Sequence, residues 1–196
     1  MDDKLNQSRQ LVNIGEVVSI LKRQDEAIRY LNESIYLAQE LNATSLLQNN
    51  WIFLARAYWL FADLPRGLEA IRQAFDLNHD NPDRMHYATV LYGCLSWCYG
   101  DIKKATDIFQ ETIQITDTLL VLASDNLEVL YSRALAWAGL WIATGDEESY
   151  QHAINTYRTA IQTTGSKGTL FDKHQLLKTL LACTDKDGSE LLSLLA

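Results

Sequence analysis

Cysteine and histidine are the residues of this chain whose chemistry could hold a metal ion or support nucleophilic catalysis. Cys94 and Cys98 lie four residues apart, which places both thiols on one face of a predicted helix. A zinc site usually needs four ligands, and the four histidines form neither an H-E-x-x-H motif nor a pair close to these cysteines. We therefore expect no metal or other cofactor, and we interpret Cys94 and Cys98 as small packing residues.

The number of cysteines also indicates the cellular compartment that we expect for the chain. An odd number of cysteines in a chain of 196 residues does not suggest a disulfide framework, so we expect Cys94, Cys98 and Cys183 to be free thiols in the cytoplasm. The first residues carry no apolar run behind a basic stretch, as a secretory signal would. The longest apolar run, residues 134–143, has ten residues, short of the ~18 that a membrane span needs.

The charge balance narrows the class of partner. The chain has 17 basic and 25 acidic residues and a net charge of −8. Such a balance argues against nucleic acid and anionic membranes as main partners, because both present a dense negative charge. We expect the partner to be another protein.

Apolar residues recur every three or four positions along nearly the whole chain, which is the spacing of helices that bury one face. No segment keeps the period of two that a strand requires. The predicted helices span residues 5–22, 24–41, 44–61, 65–78, 82–99, 102–123, 126–144, 147–164, 169–183 and 188–195.

Several helix boundaries carry local signals. Residues 81–82, Asn-Pro, predict a cap followed by a proline in the first helical position. Asp125 and Asp187 each precede a glutamate by three residues, which predicts a capping box with the aspartate in the cap position. Gly100 and Gly145 predict turns in which glycine takes the left-handed conformation that ends a helix.

The helices repeat a pattern of small residues. The four first helices carry the small residues Gly15, Ala55, Gly93 and Ala138. A second small residue follows 12, 12, 12 and 15 positions later, at Ala27, Gly67, Ala105 and Ala153. Small residues at matching places predict that the two helices of each pair cross closely there, with larger neighbours filling the seam.

This pattern resembles the tetratricopeptide repeat, whose signature is W-x₂-L-G-x₂-Y…A-x₃-F. The second copy, Trp51-x-x-Leu54-Ala55-x-x-Tyr58, carries the resemblance best, and the four copies cover residues 8–164. The second-helix small residues advance by 40, 38 and 48 positions, against about 34 in the common form. We therefore interpret the chain as a long-helix variant, similar to the arrays of bacterial regulatory proteins.

The resemblance implies an all-α fold, a right-handed superhelical stack of about four helical hairpins. The hairpins are expected at residues 5–41, 44–78, 82–123 and 126–164, giving a repeat array over residues 1–164. Residues 165–196 are expected to form capping helices, because a stack leaves an apolar face open at its end. The expected inner face of this cap is Leu170, Phe171, Leu176, Leu177, Leu180 and Leu181, and its expected outer face is Asp172, Lys173, Lys178 and Thr179.

In tetratricopeptide arrays the first helices of the hairpins line a concave groove that binds a partner. Carrying the family's groove positions over gives Arg9, Val12, Asn13 and Glu16, then Asn49, Ile52, Phe53, Arg56 and Trp59, then Tyr87, Val90, Leu91, Cys94 and Trp97, then Ser132, Leu135, Ala136, Gly139 and Ile142. The candidate partner-binding residues among them are Arg9, Asn13, Asn49, Phe53, Arg56, Trp59, Tyr87, Leu91 and Trp97. The alternative is that Phe53, Trp59 and Trp97 are buried by the curvature of the array or by the cap helix.

The predicted function is a non-enzymatic interaction module that holds a peptide or helix of another protein in this groove. Val12 and Glu16 stand where the family's clamp for acidic tails would have lysine and asparagine, which favours an apolar helix or mixed peptide as ligand. One alternative is a sensor for a small molecule or signalling peptide. Others are a homo-oligomer docked through the C-terminal leucines, Leu191, Leu192, Leu194 and Leu195, and, as the weakest, a hydrolase with Cys94 as nucleophile.

Overall fold

The computed structural model describes residues 2–77, 82–163 and 167–196, and within these ranges the chain is built of α-helices without a β-strand. The helices are α1 (Asp2–Ile20), α2 (Gln24–Glu40), α3 (Thr44–Leu60), α4 (Leu64–Asp76), α5 (Pro82–Tyr99), α6 (Ile102–Leu122), α7 (Leu127–Thr144), α8 (Glu147–Thr163), α9 (Lys167–Leu181) and α10 (Ser189–Leu194). The predicted all-α fold of consecutive helical hairpins is confirmed. The predicted cap at Asn81 lies outside the described residues.

The helices group into two compact units, Met1–Asn81 with α1 to α4 and Pro82–Ala196 with α5 to α10. Within each unit, consecutive helices pack as antiparallel pairs: α1 on α2, α3 on α4, α5 on α6 and α7 on α8. In the second unit α9 contacts α7, and α10 packs against α8 and α9. The predicted division into an array over residues 1–164 and a cap over residues 165–196 stays a prediction.

The turns between helices use left-handed residues of two kinds. Gly100 and Gly145 have φ values of 95° and 77°, as their sequence context predicts. Three turns of the first unit use side-chain-bearing residues instead, at Lys22, Asn42 and Ala62, with φ values of 61°, 51° and 59°. Asparagine tolerates this region, whereas lysine and alanine seldom adopt it. The sequence therefore carries no glycine signal for the turns of the first unit.

Two helix starts differ from the predicted capping boxes by one residue. Helix α7 is capped by Asn126, whose side chain accepts the Val129 amide at 3.3 Å, so the prediction of Asp125 as the cap is wrong. Helix α10 has Gly188 in the cap position. Asp187 lies one residue earlier, where its carboxylate accepts the Ser189 amide at 2.9 Å.

The closest helix crossings lie around the ring of Phe109 on α6. A Cβ built on Gly93 of α5 would lie 2.7 Å from Phe109 Cε1, and one built on Gly139 of α7 would lie 2.6 Å from the same atom. Real side chains do not approach this closely, so the ring fits only because both positions lack a Cβ. In the first unit, a Cβ on Gly15 would similarly meet Leu31 Cγ at 2.7 Å.

Enlarging either glycine at Phe109 is expected to destabilise the second unit. Gly93→Leu and Gly139→Leu should each lower the free energy of unfolding by about 1–3 kcal/mol or more, because the added atoms overpack the crossing. Urea unfolding followed by circular dichroism measures this loss. Glu111→Leu, at an exposed position of the same α6, is the control and should change the value by less than about 0.5 kcal/mol. Unchanged stability in both glycine variants would contradict the crossing.

Candidate functional site

Two pairs of side chains set α1 and α3 side by side and parallel in the first unit. Near the helix starts, the Asn50 amide donates to Ser8 Oγ at 3.3 Å and to Ser34 Oγ of α2 at 2.6 Å. Further along, Arg56 Nη1 donates to Glu16 Oε1 at 2.6 Å. Residue 8 thus lies beside residue 50, and residue 16 beside residue 56. The positions between them on the two helices must therefore also be neighbours.

Four of the predicted groove residues lie on these neighbouring stretches and reach solvent. Arg9 and Asn13 of α1 are exposed, and Asn49 and Phe53 of α3 are half-buried. Asn49 and Phe53 share a face of α3 because they are one helical turn apart. We call Arg9, Asn13, Asn49 and Phe53 the first-unit surface.

The other two candidates of the first unit are core residues. Trp59 and Arg56 are each 1% exposed. For Trp59 the structure thus decides between the two interpretations in favour of the core. Arg56 is not a groove-rim arginine, since its guanidinium is buried and paired with the partly exposed Glu16. Removing one partner of such a pair leaves a buried charge uncompensated, so the pair holds the two helices in register.

In the second unit, α5 and α7 are parallel and in register. His86 Nδ1 and Ser132 Oγ are hydrogen-bonded at 2.9 Å across the two helices, and both side chains are buried. Seven residues later on each helix, Gly93 and Gly139 contact the same ring of Phe109. Sequence reasoning missed the His86–Ser132 pair, because its partners lie 46 positions apart with no motif linking them.

Helix α9 lies along α5 and α7 and covers predicted groove residues of the second unit. Near its middle, Lys173 Nζ lies 5.7 Å from the ring centre of Tyr87 and 5.6 Å from that of Tyr131. Just beyond its end, the Cys183 carbonyl accepts the Trp97 indole N–H at 3.2 Å. Lys173 and Cys183 are ten residues apart, as are Tyr87 and Trp97, and they meet in the same order, so α9 runs parallel to α5. Tyr87 and Trp97 are half-buried under this cover.

The remaining candidate of the second unit is fully inside. Leu91 is a buried residue of the core at 1% exposure, so it is not available as surface in the folded chain. Val90, Ser132 and Leu135, which also occupy family groove positions, line a small cavity together with Lys173 and Leu176 of α9.

The predicted faces of the cap helix are partly exchanged. Lys173, expected outside, is 8% exposed and donates to Glu128 Oε2 at 2.8 Å. Phe171, expected inside, is 53% exposed. Because the tyrosine faces and the Glu128 carboxylate stabilise an ammonium group, α9 turns its lysine inward rather than its phenylalanine.

The cysteines are not all free thiols, so that prediction is wrong. Cys98 at the end of α5 and Cys183 beyond α9 form a disulfide, and Cys94 is free and buried. Burial raises the pKa of the Cys94 thiol, which keeps it protonated and therefore a poor nucleophile. Nothing in its surroundings supports the hydrolase alternative.

Neither a metal centre nor a membrane span is found in the parts of the chain that the structure describes. No group of three or more histidine, cysteine, aspartate or glutamate side chains converges there. None of the helices described combines the length and apolar character that crossing a bilayer would take.

Comparison with known proteins adds the family. The sequence profile of the family described as anaphase-promoting complex subunit 5 matches residues 4–57 and again residues 56–118, together more than half of the chain. The chain belongs to this family. It is a family of helical repeats similar to the tetratricopeptide repeat, so the predicted resemblance is confirmed at that level. The anaphase-promoting complex subunit 5 matches span α1 to α6, and the long-helix variant stays a prediction.

Other comparisons add less. Among solved structures, a protein described as "MamA RS-1 ArsTM double mutant" is similar, with 14% sequence identity and a TM-score of 0.42. The match covers 96% of this chain and 92% of that one. No curated protein matches the sequence.

The burial difference between Trp59 and Phe53 predicts different effects on stability. Trp59→Ala should lower the free energy of unfolding by about 3–5 kcal/mol, because it removes buried area and leaves a cavity. Phe53→Ala, on the same helix and half-buried, should cost clearly less. Chemical denaturation of both variants tests this, and an equal loss in the two would contradict the assignment of Phe53 to the surface.

The disulfide predicts a response to reductant. Reducing Cys98–Cys183, which are 85 residues apart, should lower the free energy of unfolding by about 2–4 kcal/mol, since the cross-link restricts the unfolded chain. Denaturation with and without reductant measures the change. Cys94→Ser should keep the response, and Cys98→Ser should abolish it. A response that survives in Cys98→Ser would have another cause.

Proposed function

We propose that the chain is a non-enzymatic interaction module that binds a peptide or helical segment of a partner protein at the first-unit surface. Its membership of a family of helical repeats supports a scaffold role in general terms. The specific surface is supported by one observation: Arg9, Asn13, Asn49 and Phe53 present charged, amide and aromatic side chains on two parallel helices held in fixed register.

The composition of this surface suits a protein ligand. A half-buried aromatic ring and an arginine on one surface are typical of binding hot spots, since the ring offers apolar area and the guanidinium a directed charge. The Asn13 amide can both donate to and accept from a peptide backbone. Because the buried contacts beneath already fix α1 and α3, little ordering cost remains to be met on binding.

The charges around the surface define the ligand further. The Glu16 carboxylate is already paired with Arg56, so it does not repel a partner as a free acid would. Arg9 is exposed and offers one positive charge on a chain with a net charge of −8. We propose a mixed segment, with one apolar residue for Phe53 and one acidic residue for Arg9, rather than a polyacidic tail.

The oligomerisation alternative loses two of the four leucines of its predicted contact. Leu191 and Leu195 of the C-terminal leucine group are 0% and 2% exposed within the chain itself. Docking of these leucines on a second copy would first require α10 to leave α8. The proposal of a separate protein partner needs no such rearrangement.

Substitution at the first-unit surface tests the proposal. Partners recovered on the immobilised chain from its native host should bind Phe53→Ala more weakly by about 2 kcal/mol or more, as loss of a central aromatic anchor does. Arg9→Ala should weaken binding in a salt-dependent manner, because a rim charge acts through screened electrostatics. Isothermal calorimetry with the purified partner measures both.

The matched control is Tyr36→Ala, which removes an exposed aromatic side chain from α2 of the same unit. It should leave the affinity unchanged. If Phe53→Ala and Tyr36→Ala bind the partner equally well while both remain folded, the interface lies elsewhere and the proposal fails.

A further inference from the structure

Helix α9 lies on the first helices of the second unit, as a bound partner helix would. It lies against α5 and α7, on residues that correspond to groove positions of the repeat family, and it runs parallel to both helices. The opposite side of α5 is already used, since Gly93 contacts Phe109 of α6 and Tyr92 bonds Lys104 of the same helix. The face beneath α9 is therefore the free face of this helix pair.

The buried residues of α9 follow a helical recognition pattern. Lys173 is followed by leucines three, four and seven positions later, at Leu176, Leu177 and Leu180, and all four are buried. This spacing places them on one side of the helix, as in amphipathic helices that bind grooves. Lys173 and Leu176 line the cavity against α5 and α7, so the face accepts one ammonium group and, three positions later, a leucine.

The face provides a specific binding position for the ammonium group of Lys173. Lys173 Nζ lies over the rings of Tyr87 and Tyr131 and 2.8 Å from the Glu128 carboxylate. Aromatic faces and a carboxylate both attract a cation, and the attraction is stronger where water is displaced. Burial raises the pKa of Tyr131, so its ring remains neutral and adds no further charge.

With α9 in place, this face has no room for another ligand. The cavity between Tyr87, Tyr131, Ser132 and Lys173 has a volume of about 10 Å³, at the lower limit of what a single water molecule needs. Any partner that binds the face must displace α9.

The Cys98–Cys183 disulfide restricts movement of α9 away from this face. It ties the segment after α9 to the end of α5, beside the bond between Trp97 and the Cys183 carbonyl. While the bond is intact, α9 cannot move far from the face at that end. Once it is broken, the covalent link between the two helices is only the main chain through α6, α7 and α8.

We propose that the face of α5 and α7 beneath α9 is a docking site for a partner helix carrying one lysine followed by leucines at the spacing of α9, and that the disulfide keeps α9 on this site until it is reduced. The inference rests on the proposed function only in taking the partner to be a protein. It concerns the second unit and does not involve the first-unit surface.

The chemical step is a thiol–disulfide exchange with a dithiol reductant. One thiolate of the dithiol attacks a sulfur of the Cys98–Cys183 bond, and its second thiol then resolves the mixed disulfide. The S–S bond of the chain takes up two electrons and two protons and gives two thiols. The dithiol loses the same number and becomes a disulfide, so the step is balanced.

Hydrogen exchange on the unmodified full chain tests the control by the disulfide. Reduction with dithiothreitol should make the amides of α9 exchange at least tenfold faster, because α9 then opens without unfolding the rest. The amides around Phe109 in α6 report the loss of global stability on reduction, and the increase at α9 should exceed theirs at least tenfold. Equal exchange of α9 in the oxidised and reduced chains would overturn the proposal.

Peptide binding tests the docking site. The probe is a fluorescein-labelled peptide of residues 167–182, and the protein is the full chain with Lys173→Glu, which sets a carboxylate against Glu128 and loosens its own α9. We expect fluorescence anisotropy to give a dissociation constant at least tenfold lower for the reduced than for the oxidised variant. Lack of binding to the reduced variant, or equal binding to both forms, would overturn the proposal.

A matched pair of substitutions separates the recognition of Lys173 from general charge effects. Lys178 is an exposed lysine of the same helix. A peptide with Lys178→Glu should bind the reduced Lys173→Glu chain as the original peptide does, whereas a peptide with Lys173→Glu should bind at least tenfold more weakly. Equal weakening by both substitutions would overturn the assignment of this binding position to Lys173. Because none of these readouts uses Phe53, they fail or succeed independently of the first-unit surface.

Discussion

The second unit depends on the ring of Phe109, which lies between two glycines on different helices. Gly93 of α5 and Gly139 of α7 both contact it where a methyl group would already be too close. The ring therefore fixes how near the three helices approach and, at the same time, how α5 and α7 are rotated toward each other. This contact therefore also determines the geometry of the opposite face of the α5–α7 pair, on which α9 lies. Because this contact is closely packed, a shift of one of the three helices displaces the other two.

The two units reach the same parallel arrangement of first helices by different means. In the first unit, buried polar groups set the register, through Asn50 with Ser8 and Ser34 and through Arg56 with Glu16. Such groups are costly if left unpaired, so only one alignment satisfies them. In the second unit, the buried His86–Ser132 bond is joined by steric exclusion around Phe109. The surface of α1 and α3 stays open to solvent at several positions, whereas that of α5 and α7 is covered by α9.

Local chemistry made the helices and their glycine turns predictable, because apolar period and turn residues act within a few positions of the chain. The orientation of individual side chains was harder to predict from the sequence. Trp59 and Trp97 occupy equivalent repeat positions, yet Trp59 is core and Trp97 is half-buried against the segment after α9, a difference that depends on which distant segment covers each residue. The same holds for Lys173, whose inward turn requires tyrosines from two other helices. The Cys98–Cys183 bond links residues 85 positions apart, and no short-range pattern encodes it.

The constant spacing between α5 and α7 has a consequence for how this chain can change in length. His86 faces Ser132, and Gly93 meets the same ring as Gly139; both pairs are separated by 46 positions. A residue inserted in the connection at 123–126 moves both partners on α7 together, so the two contacts can be kept by a longer loop. A residue inserted within α7 between Ser132 and Gly139 rotates everything after it by about 100° and separates the contacts. Length variation among relatives should therefore gather in the connections and be absent from the seven-residue stretches between these pairs.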